Sequence, residues 1–226
     1  MTVVSLIPLA LLGGLLGLDV VSFPQAMISR PLVASTLAGA LAGDTSAGLL
    51  LGAALELIAL ETLPFGASRY PEWGSASVVG GAIFASHSSR ISGALTLGML
   101  TALATTWVGG WTMVKLRRMN ARWAAKRRDA LEAGARGAVI SLQLTGMTAD
   151  LVRGTLLTAL AYVILTPIAT ACIGSWTIDP QLSRSVVVAI AASVAGGAAW
   201  KLFHSTAGAR WFFIGGLGVG LFLLFT

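Results

Sequence analysis

Apolar stretches and isolated charges divide the chain into two unlike halves. Two charge-free runs, 91–114 and 154–178, are long enough to cross a bilayer as helices, because about 20 apolar residues span its hydrocarbon core; the second contains Pro167. The runs 185–200 and 211–226 are shorter. They cross only if the flanking Lys201 and Arg210 snorkel or the segments tilt or re-enter. The GGLGVG stretch at 215–220 favours close helix packing there. In the first half, Asp19, Arg30, Asp44, Glu56, Glu61, Arg69 and Glu72 cut apolar sequence into pieces too short to cross unaided. Polar interruptions at membrane depth are tolerated only where protein or a water-filled cavity surrounds them, and they point to the binding site of a transporter. The apolar runs are continuous and rich in Ala, Leu and Gly rather than alternating, which argues against a β-barrel. The pattern predicts an all-α polytopic membrane protein with about seven to nine transmembrane or re-entrant segments, its N-terminal helices broken.

Composition agrees. Apolar residues make up 56% of the 226 residues and charged ones 11%, and the mean hydropathy is +0.84. Disordered and nucleic-acid-binding chains have the opposite balance. The length suits one membrane domain over 1–226 and leaves no room for a separate soluble catalytic domain. Residues 1–18 lack a positive leading region and a clear small-residue cleavage site, so they read as a retained membrane segment. The lone Cys172 lies in an apolar run, where a buried cysteine behaves as a small hydrophobe.

The net charge of +6 has a single location. Between 115 and 136 stand Lys115, Arg117, Arg118, Arg122, Lys126, Arg127, Arg128 and Arg136 against Asp129 and Glu132, so this segment carries the whole excess. Short basic loops stay in the cytoplasm, and a docking role is compatible with that placement. Leu116, Met119 and Trp123 recur at helical spacing, as in a helix lying at the cytoplasmic headgroup layer. The organisation read from the chain is an interrupted site half at 1–90, a basic cytoplasmic loop at 115–136 and scaffold helices at 137–226.

The densest chemistry lies between Arg30 and Glu72. Arg30-Pro31 reads as a helix start, and Gly39, Gly43, Gly48 and Gly52 remove side-chain bulk at intervals of four or five. Asp44 stands at the break between two apolar pieces, where it suits an N-cap. Glu56 is flanked by apolar residues and would cost about 2.5 kcal/mol or more facing lipid. It therefore faces protein or water, either holding polyol hydroxyls over the hollow left by Gly52 or pairing with Arg30 or Arg69. Glu61 is about 140° around a helix from Glu56, which argues against a carboxylate pair. Pro64 and Gly66 signal a break, so Glu61 reads as an interface residue. His87 and His204 lack metal-ligand spacing and read as structural. The motifs of ATP hydrolysis and proteolysis are absent from the sequence, and no metal or cofactor is expected.

At these positions the chain resembles the IIC subunit of the mannose/fructose/sorbose family of the sugar phosphotransferase system. The resemblance rests on Arg30, Pro31, Leu32, Thr36, Leu37, Gly39, Gly43, Asp44, Gly48, Gly52, Leu55 and Glu56, followed by Gly66, Ala67, Pro71 and Glu72. It implies a multi-pass subunit of the bacterial inner membrane that binds a hexose-type sugar. Its implied partners are a IID membrane subunit, in an oligomeric complex, and soluble IIA and IIB proteins that carry the phosphate. This chain would then be a transport subunit rather than an enzyme, in contact with membrane lipid and not with nucleic acid. Carried over by position, Glu56 and Asp44 line or brace the sugar site, with Gln25, Arg30 and Glu72 as further candidates. Relative to the family the chain is short, lacks a polar C-terminal tail and has unusual residues at Glu61, Pro64 and Arg69. Two other functions fit the residues: a regulatory membrane component that docks phosphotransferase proteins without transport, and an ion-coupled carrier using Asp44, Glu56 and Glu61.

Overall fold

In the computed structural model, residues 3–62, 70–87, 93–204 and 207–224 are described. Their regular structure is entirely helical: α1 (Val3–Asp19), α2 (Pro31–Ala42), α3 (Thr45–Ala59) with a 3-10 turn (Leu60–Thr62), α4 (Trp73–His87), α5 (Ala94–Ala125), α6 (Arg128–Glu132), α7 (Arg136–Gly174), α8 (Pro180–His204) and α9 (Ala209–Leu224). Among the described residues, three segments are long and apolar enough to cross a membrane: Thr45–Thr62, Arg136–Gly174 and Pro180–Lys201. The 91–114 run falls in α5, with 91 and 92 outside the described residues. The run expected at 185–200 is longer than its charges suggested, because Arg184 and Lys201 lie inside α8 near its ends.

The centre of the bundle is α4, in which every residue from Gly74 to Ala85 is buried. Its sequence, WGSASVVGGAIFASH, has no polar face to offer solvent, and a helix apolar or small all round belongs inside. Helices α1, α2, α3, α5 and α7 surround it. In lipid there is little hydrophobic drive between helices, so close contact between backbones must hold them together. A methyl group built on Gly39 would stand 2.7 Å from the Cα of Gly48, and one on Gly81 would stand 2.8 Å from the Ser35 carbonyl oxygen. Gly80 faces Gly98 across α4 and α5 in the same manner.

The expected break between α2 and α3 is a tight turn. Gly43 adopts φ 95°, a left-handed conformation that favours glycine. The Asp44 backbone N–H closes the end of α2 by donating to the Gly39 carbonyl at 2.9 Å. Its side chain opens α3 by accepting from the Ala47 N–H at 2.9 Å, the N-cap role read from the sequence.

The basic segment at 115–136 is not a free loop. α5 runs unbroken through it to Ala125, and only a short turn, α6 and a second turn separate α5 from α7. Of Leu116, Met119 and Trp123, Leu116 is buried and holds this extension against its neighbours, Trp123 is half-buried and Met119 is exposed. α7, with 39 residues, is about 58 Å long, nearly twice the hydrocarbon thickness. The α5–α7 hairpin therefore projects beyond the bilayer core. Cys172 is exposed on the outside of α7 rather than buried.

Gly48→Val should lower the thermal stability of the detergent-solubilised chain by the equivalent of about 3 kcal/mol, because backbone rather than a movable side chain meets the new atoms. Gly137→Ala, where nothing lies within 4 Å, should be neutral or stabilising by up to about 1 kcal/mol. Fluorescence-detected size-exclusion melting curves would compare the two.

Candidate functional site

A cavity of about 500 Å³ opens where α1 and α3 end and α2 and α4 begin. Asp19, Gln25, Met27, Ser29 and Arg30 form one wall, and Thr62, Tyr70, Pro71, Trp73 and Arg117 the other. Arg117 belongs to the basic part of α5, so the cavity lies at the same end of the molecule as the positive charge.

The first wall is a loop built around Asp19. Its carboxylate accepts the Ala26 N–H at 2.7 Å and the Ser29 N–H at 2.9 Å, which folds residues 20–29 back over the end of α1. The Gln25 side chain, which lines the cavity, donates to the Val21 carbonyl at 2.8 Å. On the second wall, the Arg117 guanidinium stacks 4.8 Å from the Tyr70 ring centroid. The Trp73 indole N–H donates to Thr62 Oγ1 at 3.0 Å and fixes the ring.

Glu56 stands behind this surface. It is ion-paired with Arg30, whose Nε donates to Glu56 Oε1 at 2.6 Å, and Oε2 accepts the Leu32 N–H at 3.2 Å. The carboxylate therefore caps α2 from a neighbouring helix and holds Arg30 in place. The hollow expected over Gly52 is filled, because α2 enters it: a methyl group there would stand 2.8 Å from the Pro31 carbonyl oxygen. Of the two roles open to Glu56 in the sequence, the ion pair with Arg30 is the one observed. Arg69, the other partner considered, lies with Pro64, Gly66 and Ala67 outside the described residues.

The remaining sequence candidates are distributed differently. Gln25 and Arg30 line the cavity directly. Asp44 caps α3 at the far end of the α2–α3 hairpin, about 18 Å away along α2. Glu72 is buried beside the cavity wall, where its Oε1 accepts the Ser75 N–H at 3.1 Å and its Oε2 has no hydrogen-bond partner. Glu61 pairs with Lys201 of α8, an inter-helix contact as expected. Asp44 thus stands apart from Glu56 and Glu61, whose ion pairs are with Arg30 and Lys201. His87 bonds the Ile83 carbonyl at 2.8 Å and Thr170 Oγ1 at 3.2 Å, a structural role; the His204 side chain lies outside the described set.

A second buried group supports the cavity and was missed in the sequence. Asp150 is fully buried in α7; it is 2.9 Å from the Arg153 guanidinium and accepts a hydrogen bond from Ser22 of the cavity loop. Arg153 Nη1 also donates to Thr112 Oγ1 of α5 at 3.3 Å. A methyl group on Gly17 would stand 3.3 Å from Glu72 Oε1 and 3.6 Å from Arg153 Nη2, so these two charged groups meet over that glycine. The available signal was an aspartate and an arginine three residues apart in an otherwise charge-free 137–178 stretch. For the second wall it was the pair of aromatics flanking Pro71-Glu72.

A family model described as the sorbose-specific IIC component of the phosphotransferase system matches residues 3–203. The chain belongs to this family. This IIC chain is 35% identical over 81 residues to the sorbose-specific EIIC component of Klebsiella pneumoniae, covering 35% of its own length and 29% of that protein. It is 33% identical over 75 residues to the mannose-specific EIIC component of Escherichia coli (strain K12), covering 33% of its own length and 28% of that protein. The alignments thus span less than a third of either relative. The IIC fold aligns with a solved membrane protein at TM-score 0.74 and 17% identity, covering 97% of this chain and 87% of the other. With the same coverages it aligns at TM-score 0.61 and 18% identity with the mannose transporter ManYZ in a complex with microcin E492. At these identities the structures establish the shared fold. Family and helices together make the IIC chain a multi-pass protein of the cytoplasmic membrane.

Arg153→Met should cost about 3–5 kcal/mol, because it leaves Asp150 and Glu72 buried without their cation. Adding Asp150→Asn should restore part of the loss. Melting temperatures of the two variants in one detergent would check the order.

Proposed function

We propose that this chain is the sugar-binding and sugar-conducting membrane subunit of a mannose/sorbose-type phosphotransferase system. The reading is carried by the cavity of about 500 Å³, which combines hydrogen-bonding groups with aromatic faces. A hexose-type sugar presents hydroxyls around its rim and C–H bonds on its faces. Asp19, Gln25 and Arg30 suit the first, because carboxylate, amide and guanidinium together both accept and donate. Tyr70 and Trp73 suit the second. Glu56 acts one step removed by holding Arg30.

The basic end of the chain faces the cytoplasm in this reading, so the cavity opens toward the soluble proteins. A IIB protein, charged by IIA, would phosphorylate the sugar there, and a IID subunit would complete the membrane complex. The chain itself supplies the site and the path, not the phosphoryl chemistry. The names of the sorbose and mannose relatives support a hexose-type substrate.

In cells lacking this chain, uptake of labelled mannose, fructose or sorbose should return only when it is supplied with its IID and IIB partners. Gln25→Ala should raise the KM for uptake by about 5-fold with little change in the amount of folded protein, since one hydrogen bond to a neutral group contributes about 1 kcal/mol. Tyr70→Ala should act in the same direction. Unchanged uptake kinetics in both variants would remove the sugar from this cavity. Uptake by the chain alone, driven by a proton gradient, would make it an ion-coupled carrier, and partner-dependent signalling without uptake would make it a regulatory component.

A further inference from the structure

One exposed face of α5 changes character along its length in a fixed order. Leu100, Ala104, Trp107, Trp111, Lys115, Arg118 and Arg122 follow one another at steps of three or four residues, within about 80° of arc. All seven are exposed, Leu100 at 51%, Trp107 at 68% and Trp111 at 49%. The face therefore passes from aliphatic through aromatic to cationic, the order in which a membrane passes from acyl chain through interface to headgroup. From Lys115 to Arg122 the helix rises about 10 Å, comparable with the headgroup layer on one side of the bilayer.

Among the described residues, the cations on this face form no ion pair within the protein: no carboxylate lies within ion-pair distance of Lys115, Arg118 or Arg122. Lys115 Nζ is instead held 3.5 Å from the centre of the Trp111 ring. By contrast Arg128, at the hairpin tip, is paired with Glu132, and Arg127 donates to Ser141 Oγ at 2.5 Å. The neighbouring face of the hairpin decides between lipid and a soluble partner. Asn120 lies against Gly146 and Arg153 bonds Thr112, which sets residues 144–152 of α7 at the same height as the cations, and there α7 exposes Leu144 and Val152 at 58% and 50%. A hairpin that is cationic on one side and apolar on the other belongs at the membrane surface, not in bulk water.

We infer that Lys115, Arg118 and Arg122 form a binding site for the phosphodiester headgroup of an anionic phospholipid, with its acyl chains lying along Trp107, Trp111 and Leu100. The site is separate from the cavity and does not depend on what the cavity binds. Each cation at a membrane surface strengthens binding about five-fold, so the three together give about 100-fold.

The test uses the full chain in neutral detergent, titrated with phosphatidylglycerol and with phosphatidylcholine and read by native mass spectrometry. Wild-type protein should retain phosphatidylglycerol in preference to phosphatidylcholine. K115Q/R118Q/R122Q should weaken the phosphatidylglycerol adduct by tens of fold up to about 100-fold. K126Q/R127Q/R128Q, with the same loss of charge at the tip, should leave it within a few-fold. The charge-preserving K115R/R118K/R122K variant should bind as wild type, which guards against misfolding of the glutamine variant. Equal losses in both glutamine variants would reduce the effect to diffuse attraction and overturn the site. So would equal retention of the two lipids by wild type. A stripe that captures the acidic soluble phosphotransferase proteins while showing no lipid preference would replace the lipid by a protein partner and overturn the inference as well.

Discussion

A carboxylate at membrane depth has only the protein to solvate it, and the arrangement of the N-terminal half follows from that constraint. Asp19 is satisfied by two backbone N–H groups of the loop that it folds. Glu56 takes a guanidinium and the N-terminal N–H of α2. Asp150 takes Arg153 and the Ser22 hydroxyl. Apart from Arg153, which shares α7 with Asp150, these partners come from a different helix or loop, so satisfying the charge also fixes a tertiary contact. Asp19, Arg30, Glu56, Glu72 and Arg153 gather where α1 and α3 end and α2 and α4 begin, and the cavity opens at that same level.

Small residues make this possible. A charged side chain can bridge two helices only if their axes are close, and glycine on both sides brings backbones into contact. Gly39 against Gly48 and Gly52 against Pro31 bring α2 and α3 together closely enough for Glu56 to cap α2. Gly17 leaves the space in which Glu72 and Arg153 meet. The interrupted hydrophobicity and the glycine spacing are two aspects of one design, in which the first would be costly without the second.

Helix type, the α2–α3 break, the N-cap at Asp44 and the inward orientation of Glu56 were all legible in the chain, because each depends on local chemistry or on the cost of facing lipid. Gln25 and Arg30 were legible as site candidates only through family resemblance. The partner of Glu56 was narrowed to two arginines but not chosen, since the choice depends on how α2 enters the space over Gly52. The second cavity wall was not legible. Tyr70 and Trp73 reach the site only because α4 starts beside the end of α1, and Arg117 reaches it from nearly fifty residues further along. The helical spacing at Leu116, Met119 and Trp123 was legible in the basic segment, but its continuity with α5 was not, because the charges that begin at Lys115 read as the start of a separate loop.

The charges around the cavity bear on the kind of ligand that it favours. Asp19 contributes one negative charge, Arg117 one positive charge, and the charge of Arg30 is offset by Glu56 directly behind it. The four sum to zero. A neutral polyol can exchange its water hydrogen bonds for those of the walls without meeting a net field. Among the described residues, a phosphorylated sugar would find no uncompensated pair of cations, and the N-termini of α2 and α4 are already capped by Glu56 and Glu72. In the proposed transport cycle this difference gives direction: the cavity holds the unmodified sugar, and the charge added by phosphorylation weakens its hold and favours release on the side where the phosphate was transferred.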